Sequence, residues 1–131
     1  MKGGTMHIIL EKTEIVKLLN SLKRVLNHKE CRFIFRDMKD KNFTFCYLYG
    51  ISIQYIRDTL SRLEVNNFKY AVENTNPNYK KELLYVFTKQ VVLTNAIGEE
   101  DAIQLYIKFS LDEKKKLIIN ISFHEAEHDF V

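Results

Sequence analysis

The sequence is poor in residues that interrupt or cross-link a chain. Its 131 residues include one proline, four glycines, two cysteines and no tryptophan. Cys31 and Cys46 are too few for the disulfide framework of a small secreted domain, so we expect free thiols in a cytoplasmic protein. No apolar run reaches the length of a signal core or a membrane span, which predicts a soluble protein without a membrane partner. With no repeat or linker, residues 1–131 are predicted to form a single domain.

The chain does contain enough apolar mass for one core. Hydrophobic residues make up 46% of it, charged residues 28% and aromatic residues 12%, which excludes a disordered protein. Charge is unevenly spread. Residues 1–50 hold ten Lys and Arg against five Asp and Glu, and residues 51–131 hold ten against twelve. A basic first half favours a polyanionic partner such as RNA, and the alternative is an ordinary solvated helix face.

Helical periodicity dominates the first half of the chain. Over residues 11–28, apolar residues recur at helical spacing, and Thr13 is placed to cap the helix. Residues 31–36 are predicted to form a short strand, whereas residues 38–48 fit either a short helix or a strand. Ser52 is predicted to begin another helix, which would end near Leu63.

The second half has the period-two pattern of strands. Strands are predicted at 68–72, 82–93, 103–111 and 117–123, separated by loops at 74–78 and 94–101 and by a charged turn at 112–115. Helices followed by consecutive strands predict an α+β fold, in which N-terminal helices pack on a mostly antiparallel β-meander.

Alternation along the last two strands predicts which side chains share a face. In the last strand, Leu117, Ile119, Ile121 and Phe123 are predicted to point to the core. The opposite face, open to solvent or a substrate, is predicted to carry the following side chains: Tyr106, Lys108, Asn120 and Ser122, with His124 one step further along.

Residues 124–128 read His-Glu-Ala-Glu-His and satisfy the H-E-x-x-H pattern of zinc metalloproteases. That chemistry requires both histidines on one helical face and a third ligand, usually well downstream. Here the segment directly follows a strand, and only three residues come after it. We therefore expect no metal site. The alternative is a small zinc hydrolase that uses His124, Glu125 and His128.

Five short segments follow one another in an order that is similar to a known family. Tyr49–Ser52 resembles a Leu-Gly-Leu-Thr helix start, and Leu63–Tyr70 resembles a Leu-x-x-x-(Asp/Asn)-(Phe/Tyr) stretch. Leu84–Lys89 resembles a strand reading Ile-Trp-x-Phe-x-Lys, and Leu105–Phe109 resembles Val-Tyr-Ile-Lys-Leu. Ile119–Glu127 resembles a closing strand and tail. Together these segments resemble the MqsR family of toxin–antitoxin mRNA interferases.

The resemblance covers about residues 49–128 and implies a RelE-like toxin fold. It also implies metal-independent cleavage of single-stranded RNA (mRNA), without a cofactor, by a type II toxin that a cognate antitoxin inhibits. In the better-known branch, the functional residues include the Tyr of Tyr-x-Lys, here Tyr106, and a Lys after Ser-Phe, here His124. A further family Lys falls on Tyr70, beside Lys69, and the family Gln falls on Val86.

Cleavage of RNA without a metal requires a base, an acid and cations around the phosphorane. We predict that His124 is the acid or base and is exposed, that Lys108 binds phosphate, and that Tyr106 donates to phosphate or stacks on a base. The alternatives are a surface histidine, a solvated lysine and a cross-strand packing residue. The residues predicted to bind RNA are Lys69, Tyr70, Lys89 and Ser122.

A third class of function stays open beside the ribonuclease and the zinc hydrolase. The departures from the family pattern at Val86 and His124 are compatible with a non-catalytic binding module. Such a degenerate toxin would bind an antitoxin or another partner through the same sheet and leave RNA intact.

Overall fold

The computed structural model describes residues 6–36, 39–79 and 81–127. Within these ranges the chain forms the predicted α+β fold, with helices in the first half and a five-stranded sheet. The helices are α1 (Lys12–Leu26), α2 (Asp40–Tyr49) and α3 (Ile53–Ser61). The strands are β1 (Arg32–Phe35), β2 (Phe68–Glu73), β3 (Leu83–Thr94), β4 (Glu100–Asp112) and β5 (Leu117–Glu125). No helix in the described ranges is long and apolar enough to cross a lipid bilayer.

The sheet has the strand order β1-β5-β4-β3-β2. Strands β2 to β5 form the predicted antiparallel meander, and the turn between β3 and β4 is shorter than predicted. The predicted strand at 31–36 is confirmed as β1, which pairs in parallel with β5, from Arg32 opposite Leu117 to Phe35 opposite Asn120. β5 is therefore an inner strand, and the sheet is mixed.

The helix ends follow local hydrogen bonding. The N-cap of α1 is Glu11, two residues before the predicted cap Thr13, and its backbone N–H donates to the Glu14 carboxylate at 2.9 Å. The ambiguous segment 38–48 contains most of α2, which ends at Gly50 with a left-handed φ of 60°. Ser52 caps α3 as predicted, since its hydroxyl accepts from the Tyr55 N–H at 3.0 Å.

The main core lies between the helices and one face of the sheet. Amphipathic α1 contributes Leu22 and Val25, and α3 contributes Leu60. The sheet supplies stacked aromatic rings, with the centroids of Phe87 and Phe109 5.7 Å apart. This core fixes which face of the sheet the helices cover and leaves the other face open.

Because of a β-bulge in β5, the residues up to the bulge lie on the faces opposite to those predicted, whereas the residues after it lie on the predicted faces. Lys108 pairs with Ser122, but Phe109 pairs with Asn120, so Ile121 is an extra residue in β5. After the bulge, Phe123 packs in the helix-side core. The prediction that it shares a face with Ile121 was wrong, because strict alternation does not anticipate an inserted residue.

Other residues of β5 are also placed differently from the prediction. Ile118 packs in the helix-side core, whereas Ile119 lies in a second apolar cluster with Val72 and Leu84. Asn120 was predicted on the open face. It lies opposite Phe109 and is fully buried on the helix side.

Candidate functional site

The face of the sheet opposite the helices carries a cavity of about 780 Å³. Its floor includes Tyr106 and Lys108 of β4 together with Ser122 and His124 of β5. One wall is formed by Lys39, Lys41 and Asn42 at the start of α2, and another by residues 73–76, at the end of β2 and just after it. The cavity is thus built by elements that are distant in sequence.

Cross-strand pairing brings most of the predicted site residues together. Tyr106 lies directly opposite His124, and Lys108 lies opposite Ser122. On the other side of β4, Lys108 lies opposite Val86, which in turn pairs with Tyr70. Directly opposed side chains share a face and are near neighbours. All of these residues except Val86 line the cavity.

Two predicted RNA-binding residues lie elsewhere. Lys69 occupies an irregularity in β2, between Phe68 and Tyr70, and does not line the cavity. Lys89 is opposite Leu105, which is buried in the helix-side core, so Lys89 belongs to the helix-covered face. The structure therefore does not bring either lysine to the other site residues.

His124 was predicted to be exposed, but it is buried, with 5% of its surface accessible. Its ring stacks on Tyr106 with the centroids 5.2 Å apart. The Nδ1 atom lies 2.8 Å from the carbonyl oxygen of Glu125. Because a carbonyl can only accept, Nδ1 carries the proton, and the neutral ring keeps its lone pair on Nε2.

The surroundings of His124 favour the neutral ring. Burial lowers its pKa below the ordinary value, and the positive charges of Lys41 and Lys108 act in the same direction. The bond to the Glu125 carbonyl and the charge of Glu127 oppose this effect without reversing it. A neutral imidazole with a free Nε2 at neutral pH can accept a proton.

Tyr106 is held as a neutral phenol. Burial raises its pKa well above the ordinary range, and a hydrogen bond with the Tyr70 side chain raises it further. The Tyr106 hydroxyl therefore stays protonated and able to donate a hydrogen bond.

His7 is a neighbour of the site that the sequence did not indicate. Its ring stacks on Tyr70, with the centroids 3.6 Å apart and the planes within 5°. Two backbone hydrogen bonds between Ile8 and Ala71, at 2.7 and 2.8 Å, hold this segment against β2. No periodicity or motif around His7 pointed to this contact, because it depends on a single isolated bridge.

Three lysines make one end of the cavity cationic. Lys108 is half-buried, and burial lowers its pKa, helped by the charges of Lys41 and Lys39. Lys39 and Lys41 lie at the N-terminus of α2, where the helix dipole is also positive. The sequence did not single them out, because residues 38–48 had no assigned structure. Lys41 also forms an ion pair with Glu127 at 3.1 Å.

Asn42 joins this end of α2 to the bulged strand. Its side chain is 1% exposed, and its Oδ1 accepts from the backbone N–H of Phe123 at 2.9 Å. Its Nδ2 donates to the Lys39 carbonyl at 3.3 Å. Asn42 thus fixes the lysines of α2 relative to His124, which follows Phe123 in the chain.

An ion pair ties the segment between β2 and β3 to the opposite edge of the sheet. The guanidinium of Arg36, next to β1, pairs with the carboxylate of Glu82 and lies 3.6 Å from the centroid of the Tyr79 ring. The same Glu82 carboxylate accepts from Asn74 Nδ2 at 2.9 Å. β1 and β3 are separated by two strands, so this ion pair connects parts of the sheet that are not neighbours.

The first two residues of the H-E-x-x-H motif do not have the helical geometry of a zincin site. His124 and Glu125 lie in β5, where successive side chains point to opposite faces. His128 lies outside the described residues. Within the described ranges, no group of three His, Cys, Asp or Glu side chains is placed to hold a metal ion.

Comparison with known proteins adds no identification. No model of a known protein family matches the chain, and no curated protein matches it. What the chain does must therefore be inferred from the geometry of the cavity and from the resemblance of its sequence segments.

Proposed function

We propose that this chain is an endoribonuclease that cleaves single-stranded RNA in the cavity on the open face of its sheet. The observation that carries the proposal is that a neutral histidine with a free Nε2, a protonated phenol and three lysines line one cavity. Attack of a 2′-hydroxyl on the adjacent phosphodiester requires a base, a proton donor and positive charge around the phosphorane. These groups supply all three.

Each residue has a role that follows from its surroundings. His124 Nε2 takes the proton of the 2′-hydroxyl, and the 2′-oxygen forms a bond to phosphorus. The bond from phosphorus to the 5′-oxygen breaks, and the products are a 2′,3′-cyclic phosphate and a 5′-hydroxyl. Lys108 protonates the leaving oxygen, since its lowered pKa makes it a better acid than an ordinary lysine. The Tyr106 hydroxyl exchanges its hydrogen bond with Tyr70 for one that it donates to a phosphate oxygen. Lys39 and Lys41 balance the negative charge of the phosphorane.

The resemblance to the MqsR family supports the same site. The positions carried over from that family are Tyr70, Val86, Tyr106 and His124, and cross-strand pairing gathers them on one face of the sheet. We therefore extend the proposal to a RelE-like toxin of a type II toxin–antitoxin system, with mRNA as substrate and a cognate antitoxin as inhibitor. These finer features depend on the resemblance.

The test is cleavage of a labelled mixed-sequence RNA by the purified protein, with and without EDTA. We expect cleavage in both conditions and 2′,3′-cyclic phosphate ends on the products. His124→Ala should remove the activity, whereas His28→Ala should not, since His28 does not line the cavity. Circular dichroism of both variants would establish that they are folded, which is necessary because His124 is buried.

Three outcomes would contradict parts of the proposal. Loss of cleavage in EDTA would indicate a metal-dependent mechanism. A folded and fully active His124→Ala variant would remove the histidine from the reaction. If the native protein cleaves neither free RNA nor RNA on translating ribosomes, the proposed activity is wrong and the binding-module alternative is favoured.

A further inference from the structure

The cavity has a second end that the proposed cleavage chemistry does not use. There the side chains of Val72, Leu84 and Ile121 form an apolar floor, and the segment Asn74–Asn76 forms the wall. Tyr70 also lines the cavity, with His7 stacked on its ring.

Strand register separates this end from the catalytic groups. Leu84 lies two residues from Val86, which pairs with Lys108, and four residues from Thr88, which pairs with Tyr106. At the rise of a β-strand, Leu84 is roughly 7 Å from the Lys108 row and roughly 13 Å from the Tyr106 row. The apolar end is thus near Lys108, which protonates the leaving oxygen in the proposed reaction, at a distance on the order of one nucleotide.

An apolar floor beside polar wall groups matches the chemistry of a nucleobase. The faces of a base are apolar and stack on aromatic or aliphatic side chains, whereas its edge carries hydrogen-bonding groups. A second phosphate would be poorly accommodated, because Glu73 also lines this end. A base adjoining the cleaved phosphodiester is therefore the part of RNA that this end fits.

Asn76 presents a hydrogen-bond donor in this wall. Asn76 Oδ1 accepts from the backbone N–H of Asn78 at 2.9 Å, which leaves its Nδ2 to contact a ligand. Within the described ranges this Nδ2 has no hydrogen bond. Asn74 differs, since its Nδ2 donates to Glu82 and its Oδ1 accepts from the Asn76 N–H.

We infer that this end of the cavity is a base-binding subsite that prefers a keto base, guanine or uracil, through the Asn76 amide. A keto base presents a carbonyl oxygen to the Nδ2 donor, whereas adenine and cytosine present an amino group at the same position. The inference rests on the proposed ribonuclease function, and it adds a specificity that the catalytic residues do not provide.

The test compares base preference in cleavage of a random-sequence RNA pool, with the ends of the products sequenced. The native protein should favour G and U over A and C by about fivefold at one position beside the cleaved bond, as expected for one hydrogen bond. Asn76→Ala should bring this ratio near one. Asn76→Asp keeps an acceptor for the Asn78 N–H but replaces the donor with a second acceptor, so it should reverse the preference.

Asn78→Ala is the matched control, because Asn78 lies in the same segment but its side chain does not line the cavity. It should keep the native ratio. A second measurement does not depend on catalysis: the dissociation constants of the four nucleoside 3′-monophosphates for the native protein and for Asn76→Ala. For the native protein, the dissociation constants of the guanosine and uridine compounds should be about fivefold lower than those of the adenosine and cytidine compounds. This difference should vanish in Asn76→Ala.

The two measurements separate failure of the subsite from failure of the ribonuclease proposal. RNA cleavage that depends on His124, with the same base ratio in Asn76→Asp as in the native protein, would overturn the subsite alone. Absence of RNA cleavage together with tighter binding of the keto nucleotides would overturn the ribonuclease and keep the subsite. Equal binding of all four nucleotides without cleavage would overturn both.

Discussion

Replacing Asn42 by alanine tests whether the junction between α2 and β5 supports both the fold and the site. The substitution removes the acceptor of the Phe123 N–H, a buried hydrogen bond of 2.9 Å. A buried donor left without a partner costs about 1–3 kcal/mol. Truncating a side chain that is 1% exposed adds roughly 1 kcal/mol for the space left behind. We expect the free energy of unfolding to fall by about 2–4 kcal/mol in total.

Urea denaturation would measure this loss, and amide hydrogen exchange would locate it. The Phe123 amide should lose its protection more than amides in β3. Under the proposed function, RNA cleavage should also fall in conditions where the variant is fully folded, because Lys39 and Lys41 are no longer held relative to His124.

Thr44→Ala is the control for this experiment, since Thr44 is an exposed residue of the same helix. An exposed substitution of this kind should change the free energy of unfolding by no more than about 0.5 kcal/mol. If Asn42→Ala behaves like Thr44→Ala in both measurements, the hydrogen bond to Phe123 does not hold the junction and the reasoning above is refuted.

Three other predictions concern pH, the ion pair and a helix cap. Because burial lowers the pKa of His124, RNA cleavage under the proposed function should fall only as pH drops below the ordinary histidine pKa of about 6.5. The free energy of unfolding should be constant above that pH and decrease below it, because the unfolded chain binds the proton at a higher pH than the folded protein. His124→Gln should make this decrease smaller in urea titrations at a series of pH values. Arg36→Ala removes the guanidinium partner of the mostly buried Glu82 carboxylate. It should lower the free energy of unfolding by about 2–3 kcal/mol, and a loss below about 0.5 kcal/mol would exclude a structural role for the pair. Ser52→Ala should lower the melting temperature through a loss of about 1 kcal/mol, and an unchanged value would show that the cap contributes nothing.

The parts of the fold that depend on local pattern could be predicted from the sequence. The period-two alternation in β4 correctly placed Tyr106 and Lys108 on one face, because alternation requires no knowledge of distant residues. Ser52 was predicted as a helix cap for the same reason. The antiparallel meander also followed from short turns between consecutive strands.

The parts that depend on distant contacts could not be predicted. The bulge at Ile121 is stabilised by Asn42, which lies in α2, and nothing in the local pattern of β5 reveals an inserted residue. His124 reaches the predicted face only through that bulge and is buried by elements from elsewhere in the chain. Lys41 joins the site because α2 packs on β5, and His7 joins it through one isolated bridge.

The inner position of β5 has a consequence for folding kinetics. The parallel pairing of Arg32 with Leu117 joins residues 85 positions apart, so β1 can pair with β5 only by closing a long loop, which slows folding. The same strand carries His124 on one face and the core residues Ile118 and Phe123 on the other. Opening of β5 therefore requires loss of the core. We expect amide hydrogens around His124 to exchange through global unfolding rather than local fraying.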